Sequence, residues 1–324
     1  MTLTELKYIV AVAREKHFGK GADACHVSQP TLSVAIKKLE EELQVKLFER
    51  NASEITVTPL GEEIIRQAQS VLEQAESIRE IARRGKDPLA GALRLGVIYT
   101  IGPYLLPDLV RQTIATMPQM PLMLQENFTV KLLEELRNGE IDCAILAEPF
   151  PDTNLAIAPL YDEPFMAAVP SAHPLAARSS ITAEEIKKET MLLLGNGHCF
   201  RDHVLEVCPE FARFSSSSDG IRKSFEGSSL ETIKHMVAAG MGITLVPRLG
   251  VPKDAFESNG GGKKHGRGKA AAPPSFIKYL PFTGHIPSRR VVLAWRRSFT
   301  RYEAIAALRN AIYACELPGV TRLS

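Results

Sequence analysis

The sequence predicts an α/β protein in three parts: an N-terminal winged helix-turn-helix, a long linker helix and a two-lobed C-terminal domain. Residues 1–58 show apolar stripes at helical spacing and one short strand pair, and residues 59–84 form one uninterrupted helical pattern. From residue 91 onward, short apolar strands alternate with helices, as in an α/β sheet domain. A chain of 324 residues can bury two or three such units.

The bulk composition does not identify a partner. The net charge is +2, and residues 1–60 carry equal numbers of basic and acidic side chains, so a nucleic-acid hypothesis must rest on local placement. No secretion signal and no run of about 18 apolar residues is present. We therefore expect a cytoplasmic protein with no membrane partner.

The first three predicted helices form a helix-turn-helix. Leu3–Ala13 is amphipathic, and a short second helix fits the Gly-bounded segment 19–26. Ser28 can N-cap a third helix that has Pro30 in its first turn. Its core face repeats at helical spacing as Leu32, Ile36, Leu39 and Leu43.

The third helix leaves a polar face outward, with short side chains early and cations later. Such a face suits a recognition helix in the major groove, where amides and hydroxyls read base edges and lysines attract phosphates. A solvated amphipathic helix is the alternative, but a short β-wing from Leu47–Arg50 through 55–58 favours DNA. The outward residues are Gln29, Thr31, Ser33, Val34, Lys37 and Lys38.

A long helix then begins at Thr58-Pro59, a cap followed by a proline at the first helical position, and continues to about Arg84. Apolar residues along it are spaced 4, 3, 4, 3, 4, which is the heptad pattern of a helix that packs on a partner helix. The spacing predicts a homodimer through residues 60–84. The seam is Ile64, Ala68, Val71, Ala75, Ile78 and Ala82.

Residues 1–65 resemble the LysR-type winged-helix transcription regulators. The resemblance is carried by the runs Ala22–Ser33, 38–40, Leu47-Phe-Glu-Arg50 and Thr58-Pro-Leu-Gly61. It implies a regulator that binds double-stranded promoter DNA. We expect the contacts to come from Ser28, Gln29, Pro30, Thr31, Ser33, Lys37 and, from the wing, Arg50.

The C-terminal domain is expected to fold as two lobes with a cleft. The expected divisions are 1–58 for the DNA-binding domain, 59–88 for the linker helix and hinge, and 89–324 for the regulatory domain. Within the last, lobe I takes 89–164 plus 276–324 and lobe II takes 165–258. Residues 259–274, rich in Gly and Lys, are interpreted as a flexible basic insertion, more consistent with a solvated linker than with a phosphate-binding loop.

Two threonines stand at strand-to-helix turns of this domain, Thr100 and Thr129. A threonine at such a turn is usually a helix cap with no ligand. The layout resembles the LysR-family effector domain, which is similar to bacterial periplasmic binding proteins, and ligands there lie at such turns.

Five cysteines form no CxxC pair or zinc-like cluster, so we expect neither a metal nor another cofactor. Cys25, Cys143 and Cys315 lie within helix or strand patterns and are interpreted as inert. Cys199 differs, because it follows two glycines at a predicted helix start. With His198 and Arg201 nearby, we expect a lowered thiol pKa.

Cys208 lies nine positions after Cys199. Along a continuous helix these two would be about 13 Å apart, whereas the α-carbons of a disulfide are about 4.4–6.8 Å apart. A bond between them would have to remodel the segment, so the pair is a plausible redox switch.

Nearly the whole chain resembles the peroxide-sensing members of the LysR family. The resemblance is carried by Gly197-His-Cys-x-Arg-Asp with its second cysteine, by Thr100–Pro107 and by Ile141–Ala147. It implies an activator of antioxidant genes that is often a homotetramer, with RNA polymerase as a further partner. It also implies that Cys199 is the peroxidatic thiol, that Cys208 resolves it, and that Thr100, Thr129 and His198 hold hydrogen peroxide, with Arg201 stabilising the thiolate and Asp202 orienting its neighbours.

Three alternatives remain open at this point. The regulator could instead respond to a metabolite bound between the lobes, with the cysteines incidental. The thiol chemistry would also serve a peroxidase enzyme, although a DNA-binding module argues against one. A solute-binding protein is the third alternative, and the missing secretion signal argues against it.

Overall fold

The computed structural model describes residues 1–50, 55–84, 89–151, 154–209, 224–227, 229–253, 255 and 276–323. Within these ranges, the side chains of residues 50, 80–84 and 224–227 are not described. The basic insertion expected at 259–274 lies outside the described residues. None of the described helices is both long and apolar enough to cross a bilayer.

The N-terminal unit contains the predicted helices and wing. Helices α1 (Leu3–Glu15), α2 (Phe18–Ala24) and α3 (Gln29–Leu43) pack on one another, and β1 (Phe48–Arg50) pairs antiparallel with β2 (Ile55–Val57). Ser28 caps α3 by accepting a hydrogen bond from the Thr31 backbone N–H at 3.3 Å. The Glu40 carboxylate accepts the backbone N–H of Leu47 at 2.8 Å, which ties the wing to α3. These local contacts confirm the helix-turn-helix and its wing.

Helix α4 (Pro59–Arg84) has the predicted start, because the Thr58 hydroxyl accepts the Gly61 N–H at 2.9 Å. The predicted seam is only partly available to a second chain. Ala68 is buried in the core of the N-terminal unit, and Ile64 and Val71 pack against that core. The expectation that the whole seam faces a partner is therefore wrong for this half, because α1 already covers it. Ile78 remains 69% exposed.

Lobe I is built on a mixed sheet. Strands β3 (Leu93–Ile98), β4 (Leu122–Asn127) and β5 (Cys143–Glu148) are parallel, and β11 (Ser288–Arg296) adds antiparallel to β5. The N-terminal half of β6 (Leu155–Pro170) pairs with β11. Helices α5, α6 and α10 cover this sheet, and their bounds are Gly102–Thr116, Thr129–Arg137 and Tyr302–Ala314.

Lobe II begins where β6 continues past Pro164. This half of β6 pairs with β9 (Thr244–Pro247) and β10 (Ile277–Pro281), while β7 (Met191–Leu194) runs parallel to β8, at 224–227. A short β12 (Thr321–Arg322) pairs with β6 on the lobe I side. The helices are α7, α8 and α9, and their bounds are Ala183–Ile186, Cys199–Val207 and Leu230–Ala238.

The assignment of residues 276–287 to lobe I is wrong. Tyr279, Leu280 and Phe282 are buried in the core of lobe II, because β10 pairs with the half of β6 that belongs to that lobe. The chain returns to lobe I only at Ser288, where β11 begins opposite Pro164. Each lobe therefore receives one half of β6.

Polar contacts join α4 to lobe I of the same chain. The Glu73 carboxylate lies 2.6 Å from the Arg296 guanidinium and accepts the Ser298 hydroxyl at 2.6 Å. The Thr300 hydroxyl donates to that of Ser77 at 2.7 Å. These contacts attach the linker helix to the end of β11.

Candidate functional site

The outer face of α3 carries the predicted DNA-contacting side chains. Those of Ser28, Gln29, Pro30, Thr31 and Lys37 are exposed, and that of Ser33 is half-buried. Lys37 forms an exposed pair with Glu41 at 3.7 Å, which is too solvated to hold it away from a phosphate. Arg50 ends β1, but its side chain lies outside the described part. The opposite side of α3 buries Leu32, Ile36 and Leu39 in the core.

A second site lies where β3, β4 and β7 lead into helices of the two lobes. The turn before α5, the start of α6 and the start of α8 converge on a cavity of about 10 Å³. That volume is room for about one water molecule. Its walls are Ile98, Tyr99, Thr100, Asn127, Phe128, Thr129, Gly197, His198 and Cys199. The structure thus brings together four of the predicted peroxide-site residues.

Neither threonine at this cavity caps its helix. The N-cap positions of α5 and α6 are Ile101 and Phe128, and neither helix has a side-chain cap. The Thr129 hydroxyl is buried and makes no hydrogen bond of ordinary geometry to a residue that the structure describes, but it lies near enough to the Cys199 sulfur to donate to the thiolate. Because burying a hydroxyl without a partner is unfavourable, this group is suited to a ligand in the cavity.

Cys199 is the first residue of α8 and is partly exposed to solvent. Burial raises its pKa above the usual value of 9.0 and is the largest influence. A hydrogen bond from Thr129 to the thiolate and the charge of Arg289 lower the pKa, and the charge of Asp202 raises it. The sequence-based expectation of a lowered pKa is therefore wrong, because desolvation of the thiolate outweighs the favourable groups.

Arg289 is the functional residue that sequence reasoning missed. Its guanidinium donates to the Thr100 hydroxyl at 2.7 Å and to the Thr100 carbonyl at 2.9 Å. It also donates to the buried Glu163 carboxylate at 2.9 Å and lies 5.3 Å from the Phe200 ring centre. The only signal in the sequence was a basic pair at 289–290, directly before the apolar strand at 291–295.

Arg201 and Asp202 do not line the cavity. Arg201 is buried and donates to the Leu194 carbonyl at 2.9 Å, so it braces the turn between β7 and α8. Asp202 is exposed on the first turn of α8. The charge of Asp202 disfavours the thiolate, because it raises the Cys199 pKa, and a role of Arg201 at the thiol stays a prediction.

Cys208 lies just beyond the other end of α8 and is fully buried in the core of lobe II. Both cysteines are in the thiol form. Since nine helical steps separate them, their α-carbons are about 13 Å apart along the axis. Burial raises the pKa of Cys143 and Cys315, the latter to about 11, so neither is a competing nucleophile at neutral pH.

Family models match both parts of the chain. The bacterial regulatory helix-turn-helix protein of the lysR family matches residues 3–62, and the LysR substrate binding domain matches residues 86–259. The second match alone covers more than half of the 324 residues.

Similar proteins of known name span nearly the full length. The hydrogen peroxide-inducible genes activator of Pectobacterium carotovorum subsp. carotovorum is 37% identical over 309 residues, covering 94% of this chain and 95% of that protein. A full-length OxyR variant from Pseudomonas aeruginosa is 47% identical with a TM-score of 0.73, covering 98% and 99% of the two chains. A hydrogen peroxide-bound OxyR mutant from Corynebacterium glutamicum is 32% identical with a TM-score of 0.59, covering 97% and 92%.

Proposed function

The chain belongs to the LysR family of bacterial transcription regulators, in its OxyR group, and on that premise we propose that hydrogen peroxide switches it through Cys199 and Cys208. Peroxide oxidises Cys199, and a disulfide with Cys208 alters how the protein binds promoter DNA. The observation that carries this proposal is the very small cavity in which the buried hydroxyl of Thr129 lies beside the Cys199 thiol.

The size of the cavity favours peroxide over a metabolite at this thiol. Pockets for drug-sized ligands have volumes of about 300–1,000 Å³. The space beside Cys199 measures about 10 Å³, so only a molecule of a few atoms suits it. The hydrogen peroxide-bound OxyR mutant from Corynebacterium glutamicum is consistent with this choice.

Oxidation of the protein by hydrogen peroxide proceeds in two steps. The Cys199 thiolate attacks one peroxide oxygen, a sulfur–oxygen bond forms, the O–O bond breaks, and hydroxide leaves and takes up a proton to become water. Hydrogen-bond donors align the O–O bond and stabilise the departing oxygen. Thr100 suits this role, because its oxygen already accepts from Arg289 and its hydrogen can point into the cavity. Thr129 and His198 supply the other donors.

The second step joins the two sulfurs. The Cys208 thiol displaces hydroxide from the Cys199 sulfenic acid, and water is the by-product. Because a disulfide needs α-carbons about 4.4–6.8 Å apart, α8 cannot keep its present form. Phe200 and Val204, which are buried in the core of lobe II, must leave their places when the helix unwinds. Oxidation is thereby converted into a change of packing.

In this proposal the DNA-binding domains act in pairs. A homodimer forms through α4, with the 69% exposed Ile78 in the interface, and two dimers form a homotetramer. The protein works in the cytoplasm on double-stranded promoter DNA, activates antioxidant genes and acts with RNA polymerase. Sedimentation of wild type and Ile78→Asp tests the interface, since the charged variant is expected to dissociate.

The decisive experiment combines peptide mass spectrometry with DNA footprinting. After brief exposure to peroxide, wild type is expected to contain the Cys199–Cys208 disulfide and to show a changed footprint. Cys199→Ser is expected to show neither, whereas Cys25→Ser, at the other partly exposed cysteine, is expected to behave as wild type. If Cys199→Ser keeps the response, a reversibly bound metabolite becomes the better explanation.

A regulator and a thiol peroxidase differ in turnover. We expect about one peroxide to be consumed for each Cys199–Cys208 pair until a reductant restores the thiols. Sustained peroxide consumption with thioredoxin, at a rate that exceeds the change in footprint, would indicate an enzyme instead.

A further inference from the structure

Three rings surround the mouth of the cavity beside Cys199. The ring centres of Phe128 and His198 are 4.8 Å apart, those of Tyr99 and Phe128 are 5.2 Å apart, and those of Tyr99 and His198 are 5.8 Å apart. All three residues line the cavity. Tyr99 is 38% exposed and Phe128 is 37% exposed, so both reach from the cavity wall to solvent. We call these three residues the aromatic collar.

Helix formation does not explain the two exposed rings. Phe128 occupies the N-cap position of α6, where Ser, Thr, Asp or Asn would satisfy the first N–H groups, and no side chain does so. Tyr99 stands in the turn between β3 and α5. Their edge-to-face packing is favourable, but it is placed at the surface rather than in a core.

The backbone of the turn before Cys199 packs closely against the collar. Gly197 has φ +96°, a conformation that L side chains rarely adopt. A β-carbon added at Gly197 would lie 3.3 Å from the Phe128 ring. The turn before Cys199 therefore passes directly under that ring, and the opening between them is narrow.

We propose that the aromatic collar selects hydrogen peroxide by size and excludes alkyl hydroperoxides from Cys199. This inference rests on the proposed function, since it concerns the same thiol. Electronic factors do not separate the two oxidants. With an alkyl hydroperoxide the sulfur attacks the terminal oxygen, the O–O bond breaks, and the alkoxide leaves and takes up a proton to become an alcohol.

The direction of attack places the alkyl group against the rings. The sulfur, the attacked oxygen and the leaving oxygen must lie nearly in line, so the substituent on the leaving oxygen points away from Cys199. The collar residues form three of the walls of the cavity that the substituent would enter. Hydrogen peroxide carries only a hydrogen there, whereas tert-butyl or cumyl groups would collide with Phe128 and Tyr99. The collar therefore excludes a bulky substituent by steric clash and does not alter the sulfur or the two peroxide oxygens.

Rate constants for three oxidants test the proposal on the full-length reduced protein. Oxidation of Cys199 by hydrogen peroxide, tert-butyl hydroperoxide and cumene hydroperoxide is followed by thiol alkylation and mass spectrometry. Phe128→Ala is expected to raise the ratio of the rate with cumene hydroperoxide to the rate with hydrogen peroxide by about tenfold or more. Phe128→Leu, a milder change that keeps an apolar side chain, is expected to fall between. Val130→Ala, 72% exposed and not part of the cavity wall, is the matched control.

The outcomes are distinct. If wild type already reacts equally fast with cumene hydroperoxide, or if Phe128→Ala and Phe128→Leu leave the ratio of rates unchanged, the collar is not a size filter. If the rates with all three oxidants fall together, the rings only position His198, and the proposal is again overturned. If wild type fails to react with hydrogen peroxide, the proposed function itself is wrong.

Discussion

The buried hydroxyl of Thr129 leads to opposite expectations for the stability of the reduced protein and for its rate of oxidation. Thr129→Val keeps the shape of the side chain and removes only the oxygen. Because that oxygen is buried and makes no hydrogen bond of ordinary geometry to a described residue while Cys199 is a neutral thiol, its loss should not weaken the reduced fold. The same oxygen lowers the Cys199 pKa and faces the peroxide cavity, so its loss should slow oxidation.

The magnitudes follow from comparable groups. Removing one donor that stabilises a developing negative charge slows a reaction about 10²- to 10³-fold, or roughly 2.7–4 kcal/mol. We therefore expect oxidation of Cys199 by hydrogen peroxide to slow by about that factor in Thr129→Val. An unsatisfied buried polar group is unfavourable by about 1–3 kcal/mol, so the free energy of unfolding should stay constant or rise by about 1 kcal/mol.

The matched control is Thr113→Val. Thr113 is also buried, but its hydroxyl donates to the Val110 carbonyl at 3.0 Å within α5. This variant should lose about 1 kcal/mol of stability and oxidise at the wild-type rate. Urea unfolding of the reduced proteins gives the stabilities, and quenched alkylation with mass spectrometry gives the rates. The reasoning is refuted if Thr129→Val oxidises as fast as wild type, or if it is destabilised as much as Thr113→Val.

Three further predictions concern the Cys199 thiol, the linker helix and the DNA-binding domain. Because burial raises the Cys199 pKa above 9.0 and only the thiolate attacks peroxide, the oxidation rate should rise about tenfold per pH unit between pH 7 and 9; a plateau near neutral pH would contradict this. Glu73→Ala leaves a buried arginine charge uncompensated and should lower the free energy of unfolding by about 3 kcal/mol in urea titrations, whereas Glu62→Ala, in an exposed pair, should change it by less than about 1 kcal/mol. Gln29→Ala should reduce discrimination between operator and random DNA, while Lys37→Ala should weaken both equally and reduce the salt dependence of binding; equal effects of the two variants would exclude α3 as the recognition helix.

The raised thiol pKa is compatible with rapid sensing. A thiol of higher pKa is a better nucleophile once deprotonated, so a smaller thiolate population is partly offset by greater reactivity.

Much of the site could be predicted from short segments. Thr100, Thr129, His198 and Cys199 each stand at a turn that strand and helix patterns locate, and all four line one cavity. Arg201 and Asp202, which the resemblance also placed at the peroxide site, do not line this cavity although they follow Cys199 closely in sequence. A helix turns about 100° per residue, so the neighbours of Cys199 on α8 point into the core or into solvent.

The sequence by itself determined the helix-turn-helix, the wing, the long helix and the strand–helix alternation, because caps and apolar periodicity act over a few residues. Only the tertiary structure decided which groups meet. Arg289 lies 189 positions from Thr100 yet holds it, and the collar joins rings from three separate turns. The sign of the thiol pKa shift also belongs to the fold, since it is the balance of burial against charges that only packing brings near Cys199.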